Sequence, residues 1–339
     1  MFFGLFAINL NSGFSMTTVK ERWRASPQDI IKLVKYADDK VDFILPAARW
    51  LGFKGKTDPS SLCYENLSFS SYLLGLTKKI KFYSTIHIPL FHPTYIARAV
   101  STIDQFAPNR LGLNIVCGWY PNEFKMFDIN SEINKERYLQ GAEWIKLLKC
   151  IIENKRIPFK GEYYKTKFSI TNPTTINKKL PEIMNAGFSK EGKEFALKYC
   201  DILFSIPSES NLANSHFKKI KKKVYVPCHV VLRSSDQEAE KYYDYYANKK
   251  ADLEAIYNFS NTMSIKSPSV GMVQKQFIKK MAGGTASYPL IGSADTIIDK
   301  IKLLEKSGIN GIALSFVDYS IEFSDFYNKV IKKYKLIKN

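Results

Sequence analysis

Eight short apolar runs, rich in β-branched and aromatic residues, recur along the chain, and stretches of helical period lie between them. The runs are Phe2–Ile8, Asp42–Ala47, Ile80–Ile88, Arg110–Gly118, Pro181–Ala186, Asp201–Ile206, Val224–Leu232 and Gly308–Phe316. Strands that alternate with helices need crossover connections, so they build a parallel sheet. Eight such units point to an α/β TIM (β/α)8 barrel before a doubly wound sheet. The helices announce themselves by their starts. Ser26-Pro27 supplies an N-cap and a proline in the first turn, opening a helix to about Lys40. Further helices are expected from Ser60 or Ser61 to Lys79, over Pro93–Phe106, over Asn134–Glu153, from Ser189 to Tyr199, over Ser235–Lys249 and over Ile321–Lys333. Phe159 to Tyr164 reads as a small hairpin, and Pro227 inside the seventh strand predicts a bulge. Residues 250–290, which include Ser264–Ser269 and Gly283-Gly284-Thr285, fit no barrel unit. They read as an insertion between strands 7 and 8, a lid in a single domain spanning 1–339.

Composition narrows the class. A hydrophobic fraction of 45% and a charged fraction of 24% are those of an ordinary soluble globule. No apolar run reaches the roughly 18–20 residues that span a bilayer. The apolar start Met1–Ile8 has no basic flank or small-residue cleavage site, so it reads as a strand. The five cysteines are unpaired in spacing, which suits a reducing, cytoplasmic setting. The formal charge is +18, yet the lysines are dispersed except for Lys218, Lys219, Lys221, Lys222 and Lys223 at a helix end. No basic, aromatic-interleaved stripe appears, so neither nucleic acid nor membrane is expected as a partner. The four histidines show no metal spacing, and G-x-S-x-G and G-x-G-x-x-G are absent. Gly52-Phe53-Lys54-Gly55-Lys56-Thr57 imitates a phosphate loop, but Trp50 stands where that loop needs its first glycine.

The strand ends carry the chemistry. In the fourth run, Asn114 interrupts an apolar core strand, and a buried amide left without partners costs about 1–3 kcal/mol. Trp119 and Glu123 follow just past the strand's end, as at a site on the mouth of a parallel sheet. Arg49 follows strand 2, Thr85 lies in strand 3, Arg137 and Tyr138 open the next helix, and Ser189 follows strand 5. Each has a bland reading as well: Arg137 as a solvated helix charge, Tyr138 as a core ring, Ser189 as an N-cap. As a set they offer amides, hydroxyls and cations without a nucleophile–base pair, which suits a cofactor that brings its own chemistry. The helix start at Ser189 is a candidate phosphate seat.

Asn114-Ile115-Val116-Cys117-Gly118-Trp119 with Glu123 resembles the N-x-V-[ST]-G-W…E signature of bacterial-luciferase-like, flavin-dependent monooxygenases. Within that superfamily the chain is most similar to the pyrimidine oxygenases of uracil catabolism, then to dimethyl sulfone and alkanesulfonate monooxygenases. Arg49 to Thr57 resembles the pyrimidine oxygenases' K-L-R-G-F-G-G-K-T, Ala97 to Asp104 their A-R-M-A-A-T-I-D, Ala186 to Ser189 their A-G-Q-S and Leu314 to Asp318 their L-T-F-D-D. Cys117 stands where the family has Ser or Thr, and Arg49 where it has Lys.

The resemblance implies a barrel that holds reduced FMN at the C-terminal ends of its strands. By position it implies that Ala48 and Arg49 line the flavin, and that Asn114 and Glu123 contact it. Arg137, Tyr138 and Ser189 would hold the ribityl phosphate side. Thr85 and Asn114 match the pair that places O₂ near flavin N5 and would donate hydrogen bonds to the peroxide, with Trp119 as the adjacent wall. The implied function is a two-component, FMNH₂- and O₂-dependent monooxygenase acting through an N5- or C4a-peroxide, fed by an NAD(P)H-dependent flavin reductase. Its substrate would be a small molecule, a pyrimidine ring first and an organosulfur compound second. A deazaflavin-dependent oxidoreductase on the same fold is the further alternative. The family also implies a dimer or tetramer.

Overall fold

Every one of the eight sequence-read runs carries a strand in the computed structural model, which describes residues 1–118, 120–129, 136–213, 215–263, 272–285 and 287–338. In chain order the strands are β1 (Phe2–Phe6), β2 (Phe43–Leu45), β3 (Lys81–His87), β4 (Leu111–Val116), the hairpin β5 (Phe159–Lys160) and β6 (Lys165–Thr166), β7 (Ile183–Asn185), β8 (Ile202–Phe204), β9 (Lys223–Leu232), β10 (Tyr288–Gly292) and β11 (Gly311–Ser315). Apart from the hairpin they form one parallel sheet, ringed by helices: the (β/α)8 barrel class.

The chain divides into two compact units. One, Phe43–Ala48 with Glu65–Ser205, carries β2-β3-β4-β7-β8. Its core is built by Phe43, Phe82, Trp144, Leu147, Leu148 and Ile151, each at most 2% exposed. Burying such a side chain stabilises the fold by about 1.5–3 kcal/mol. Trp144 also satisfies its indole by donating to the Phe91 carbonyl at 2.7 Å. Here Pro93–Phe106 is helical over the expected span, with His92 as its cap. The helix expected from Ser60 starts later, at Asn66, where the Glu65 carboxylate caps the amides of Leu67 and Ser68.

The other unit, Met1–Asp42, Arg49–Tyr64 and Ile206–Asn339, carries β10-β9-β11-β1. Ser26 caps the helix Pro27–Ala37 as expected. The bulge expected at Pro227 does not form, because β9 pairs with β11 without a slip from Tyr225 to His229. The carbonyls of Val224 and Cys228 face β11, accepting from Asn310 N and Ser315 Oγ. Alternation along the strand turns Pro227's missing N–H to the opposite edge. Between β9 and β11 the sequence reading overlooked a strand and a helix. β10 pairs with the C-terminal half of β9, and Ala294–Lys306 follows it. The expected insertion holds two helices, Leu253–Thr262 and Met272–Gly284, and its stretch Ser264–Ser269 lies outside the described residues.

Candidate active site

Thr85 on β3 and Asn114 on β4 are register partners, so their side chains emerge side by side on one face of the sheet. Both are buried, at 7% and 5% exposure. The Thr85 hydroxyl donates to the Pro46 carbonyl at 2.6 Å. With its proton committed there, Thr85 can only accept from Asn114, whose Nδ2 approaches to 3.0 Å. This chain of two bonds settles which way the amide lies: nitrogen toward Thr85, oxygen away from it. Asn114 Oδ1 then has no hydrogen-bond partner among the described residues. A buried carbonyl oxygen without a donor is the kind of group that a ligand N–H satisfies. Thr85 thus acts on Asn114, where the sequence reading had both side chains donating outward.

A second cluster gathers beyond the ends of β4 and β7. At Gly118 the chain takes a φ of +93°, and a Cβ there would lie 2.5 Å from the Phe124 ring. The Gly118 carbonyl accepts from Arg137 Nη1 at 2.9 Å. Arg137 Nη2 donates to the Tyr138 hydroxyl at 3.2 Å, and the guanidinium stands 4.8 Å from the centre of that ring. The Tyr138 hydroxyl in turn lies 3.2 Å from Ser189 Oγ. Ser189 caps the helix Lys190–Tyr199 by accepting from Gly192 N at 3.0 Å. Three sequence-read residues, Arg137, Tyr138 and Ser189, are therefore one hydrogen-bonded group at a helix N-terminus, where backbone N–H groups lack intrahelical partners. The bland reading of Ser189 as an N-cap is also correct, since the same hydroxyl does both.

Of the remaining candidates, Glu123 is buried in the short helix Pro121–Lys125, and Ala48 is half-buried just past β2. Arg49 belongs to the other unit, where its guanidinium stands 5.1 Å from the Phe53 ring centre. Trp119 lies outside the described residues. Burial pushes the Cys117 thiol up to about 12, so at neutral pH it stays protonated and acts as a packing residue. Among the described residues no group of three His, Cys, Asp or Glu side chains is placed to hold a metal ion. No helix among them is long and apolar enough to cross a membrane.

The sequence model of luciferase-like monooxygenases matches residues 1–311. The chain belongs to the luciferase-like monooxygenase family. It is 25% identical over 307 residues to a pyrimidine monooxygenase, RutA, of Caulobacter vibrioides, covering 85% of each chain. It is 23% identical over 345 residues to an FMNH₂-dependent dimethylsulfone monooxygenase of Pseudomonas putida, covering 97% of this chain and 94% of that one. The crystal structure of DmoA from Hyphomicrobium sulfonivorans matches its fold with a TM-score of 0.83 at 15% identity, covering 100% of this chain and 89% of the other.

The residues of this flavin monooxygenase fit reduced FMN. A ring N–H of a reduced flavin is a donor of the kind that would satisfy Asn114 Oδ1. The Ser189 helix start, with Arg137 and Tyr138, suits an anionic phosphate. Two members of the set escaped the sequence reading. Pro46 contributes only a carbonyl, which leaves no trace in a motif. Gly192 is required because a Cβ there would lie 2.8 Å from the Tyr138 hydroxyl and 2.9 Å from Gly187 Cα. Gly192→Ala is expected to weaken reduced-FMN binding about tenfold, the equivalent of the smallest overpacking costs. Anaerobic flavin-fluorescence titration checks this, and an unchanged affinity would remove the cluster from the cofactor site.

Proposed function

We propose that this chain is an FMNH₂- and O₂-dependent monooxygenase of a small heterocyclic substrate, a pyrimidine ring first, supplied with reduced flavin by a separate NAD(P)H-dependent reductase. The observation that carries the reading is the fixed Asn114 amide, with its carbonyl oxygen turned away from Thr85 and unsatisfied. Reduced FMN supplies the two electrons that split O₂, one oxygen atom entering the substrate and the other leaving as water. Asn114 Oδ1 would accept a ring N–H of the reduced flavin and so orient the ring. Thr85 keeps the amide from flipping, because its own proton is held on Pro46. Arg137, Tyr138, Ser189 and the helix that Ser189 caps bind the phosphate. Ala48, Arg49 and Glu123 would line the cofactor. Apolar burial around β3 and β4 would keep bulk water from the reacting ring and so limit hydrolytic side reactions.

The pyrimidine substrate is supported by the similarity to proteins named pyrimidine monooxygenases, and an organosulfur substrate by the similarity to the dimethylsulfone enzyme. The deciding assay supplies FMN, NADH, a flavin reductase and O₂, then offers uracil or dimethyl sulfone, with product followed by mass spectrometry. Oxygen incorporation into uracil is the expected result. Hydrogen peroxide release with uracil unchanged would sink the pyrimidine version, and sulfone turnover in the same assay would replace it.

A further inference from the structure

The segment Gly52–Thr57, which looks like a phosphate loop and is not one, does cradle an anion: a carboxylate of this same chain. Asp252, only 1% exposed, accepts from Lys56 N at 3.2 Å, Thr57 N at 2.8 Å and Thr57 Oγ1 at 2.8 Å. It also caps its own helix, Leu253–Thr262, through Ala255 N at 3.4 Å. Its backbone is anchored in turn, with its N–H donating to the Met16 carbonyl at 3.0 Å. Gly55 makes the approach feasible. It adopts a φ of +89°, and a Cβ there would lie 2.6 Å from Asp252 Oδ1 and 2.7 Å from Ala255 N.

The same helix grips the loop a second time. Asn258 Nδ2 donates to the Phe53 carbonyl at 3.0 Å, and the Phe53 ring meets Phe259 edge-on with centroids 5.0 Å apart. Phe53 is the ring over which the Arg49 guanidinium stands, at 5.1 Å. A continuous series of contacts thus runs from the insertion helix through the loop to Arg49.

We propose that Asp252 is a positioning residue whose carboxylate clasps the loop Gly52–Thr57 and, through Phe53, sets where Arg49 stands for the cofactor. The part concerning the cofactor rests on the flavin reading above. A carboxylate is needed because three of its four donors are on the loop and one on the helix. Asn in its place would turn an N–H₂ toward N–H groups.

Two measurements test this on the full-length protein. In flavin-free protein, Asp252→Asn is expected to speed hydrogen exchange at the Lys56 and Thr57 amides, and trypsin cleavage after Lys54 and Lys56, about tenfold or more, as for a lost charge-assisted bond. Exchange in β3 and β4 serves as the internal reference. Equal protection in the variant overturns the clasp. With reduced FMN, Asp252→Asn is expected to weaken binding about tenfold. In an Arg49→Ala background the same change should add nothing. Equal losses in both backgrounds would make Asp252 merely structural and overturn the positioning role. If the unmodified protein binds no reduced FMN, the flavin reading falls, while the exchange measurement still decides the clasp. Thr57→Val, which removes one donor and keeps the fold's apolar volume, serves if Asp252→Asn does not fold.

Discussion

Asn114→Ala is expected to lower reduced-flavin-dependent oxygenation about a hundredfold or more, the scale seen when one group aimed at a reacting centre is removed. The substitution deletes both ends of a defined device. The amide nitrogen that rests on Thr85 disappears, and so does the unsatisfied oxygen turned away from it. Thr85→Val is the more telling partner. It preserves shape but frees the Pro46 carbonyl and leaves Asn114 Nδ2 without an acceptor, so the amide can rotate. A loss of about tenfold is expected, matching one misplaced hydrogen bond. Thr85→Ser keeps the hydroxyl and should restore most of it. Steady-state rates at saturating reduced FMN, together with its dissociation constant, separate lost chemistry from lost binding. Turnover of Asn114→Ala within about threefold of the unmodified enzyme, too little for a lost hydrogen bond, would take Asn114 out of the site.

His229→Leu is expected to flatten the acid side of the stability profile. His229 is buried on β9. Its tautomer follows from its neighbours. Ser287 Oγ donates to the Gly284 carbonyl at 2.5 Å, so it accepts from His229 Nδ1 at 2.8 Å. Nε2 is then a bare lone pair with no partner among the described residues. Burial first, and Lys300 second, push the imidazole from 6.5 down to about 3. A folded-state value below the unfolded one means that the unfolded chain binds the extra proton. Stability is therefore unaffected by this group above pH 6.5 and falls as pH drops from 6.5 toward about 3. The slope from this residue is about 1.4 kcal/mol per pH unit. Urea midpoints measured from pH 7 to pH 4 in both proteins give the comparison. The variant loses some packing at every pH, but only the slope reports titration, and an unchanged slope would refute the assignment.

What the sequence disclosed, and what it withheld, follows the range of the interactions involved. The helix Pro93–Phe106 and the caps Ser26 and Ser189 are local devices, and each stands where it was read. So do the pairing of Thr85 with Asn114 and the grouping of Arg137 with Ser189, because barrel order brings successive strand ends to one face. β10 was hidden because Tyr288–Gly292 is short, carries a proline and derives its strand character from β9. The first turns of the helix expected from Ser60 were lost to tertiary bonds, so it begins only at Asn66. Asn11 donates to the Asp58 carbonyl at 3.0 Å and accepts from Leu62 N at 3.1 Å, drawing that stretch into an irregular loop. Asp252 gave no signal at all, since its loop partners lie 195 and 196 residues away.

The pairing of β1 with β11 sets a problem for synthesis. Phe2 takes its register from Gly311, Phe3 from Ile312 and Leu5 from Leu314. At the usual pace of translation those partners leave the ribosome roughly 15–60 s after β1 does. Throughout that interval an apolar strand has an open edge, and all of Phe43–Ala48 and Glu65–Ser205 emerges before it closes. Until β11 arrives, Phe2–Phe6 therefore keeps one apolar, hydrogen-bonding edge without its native neighbour.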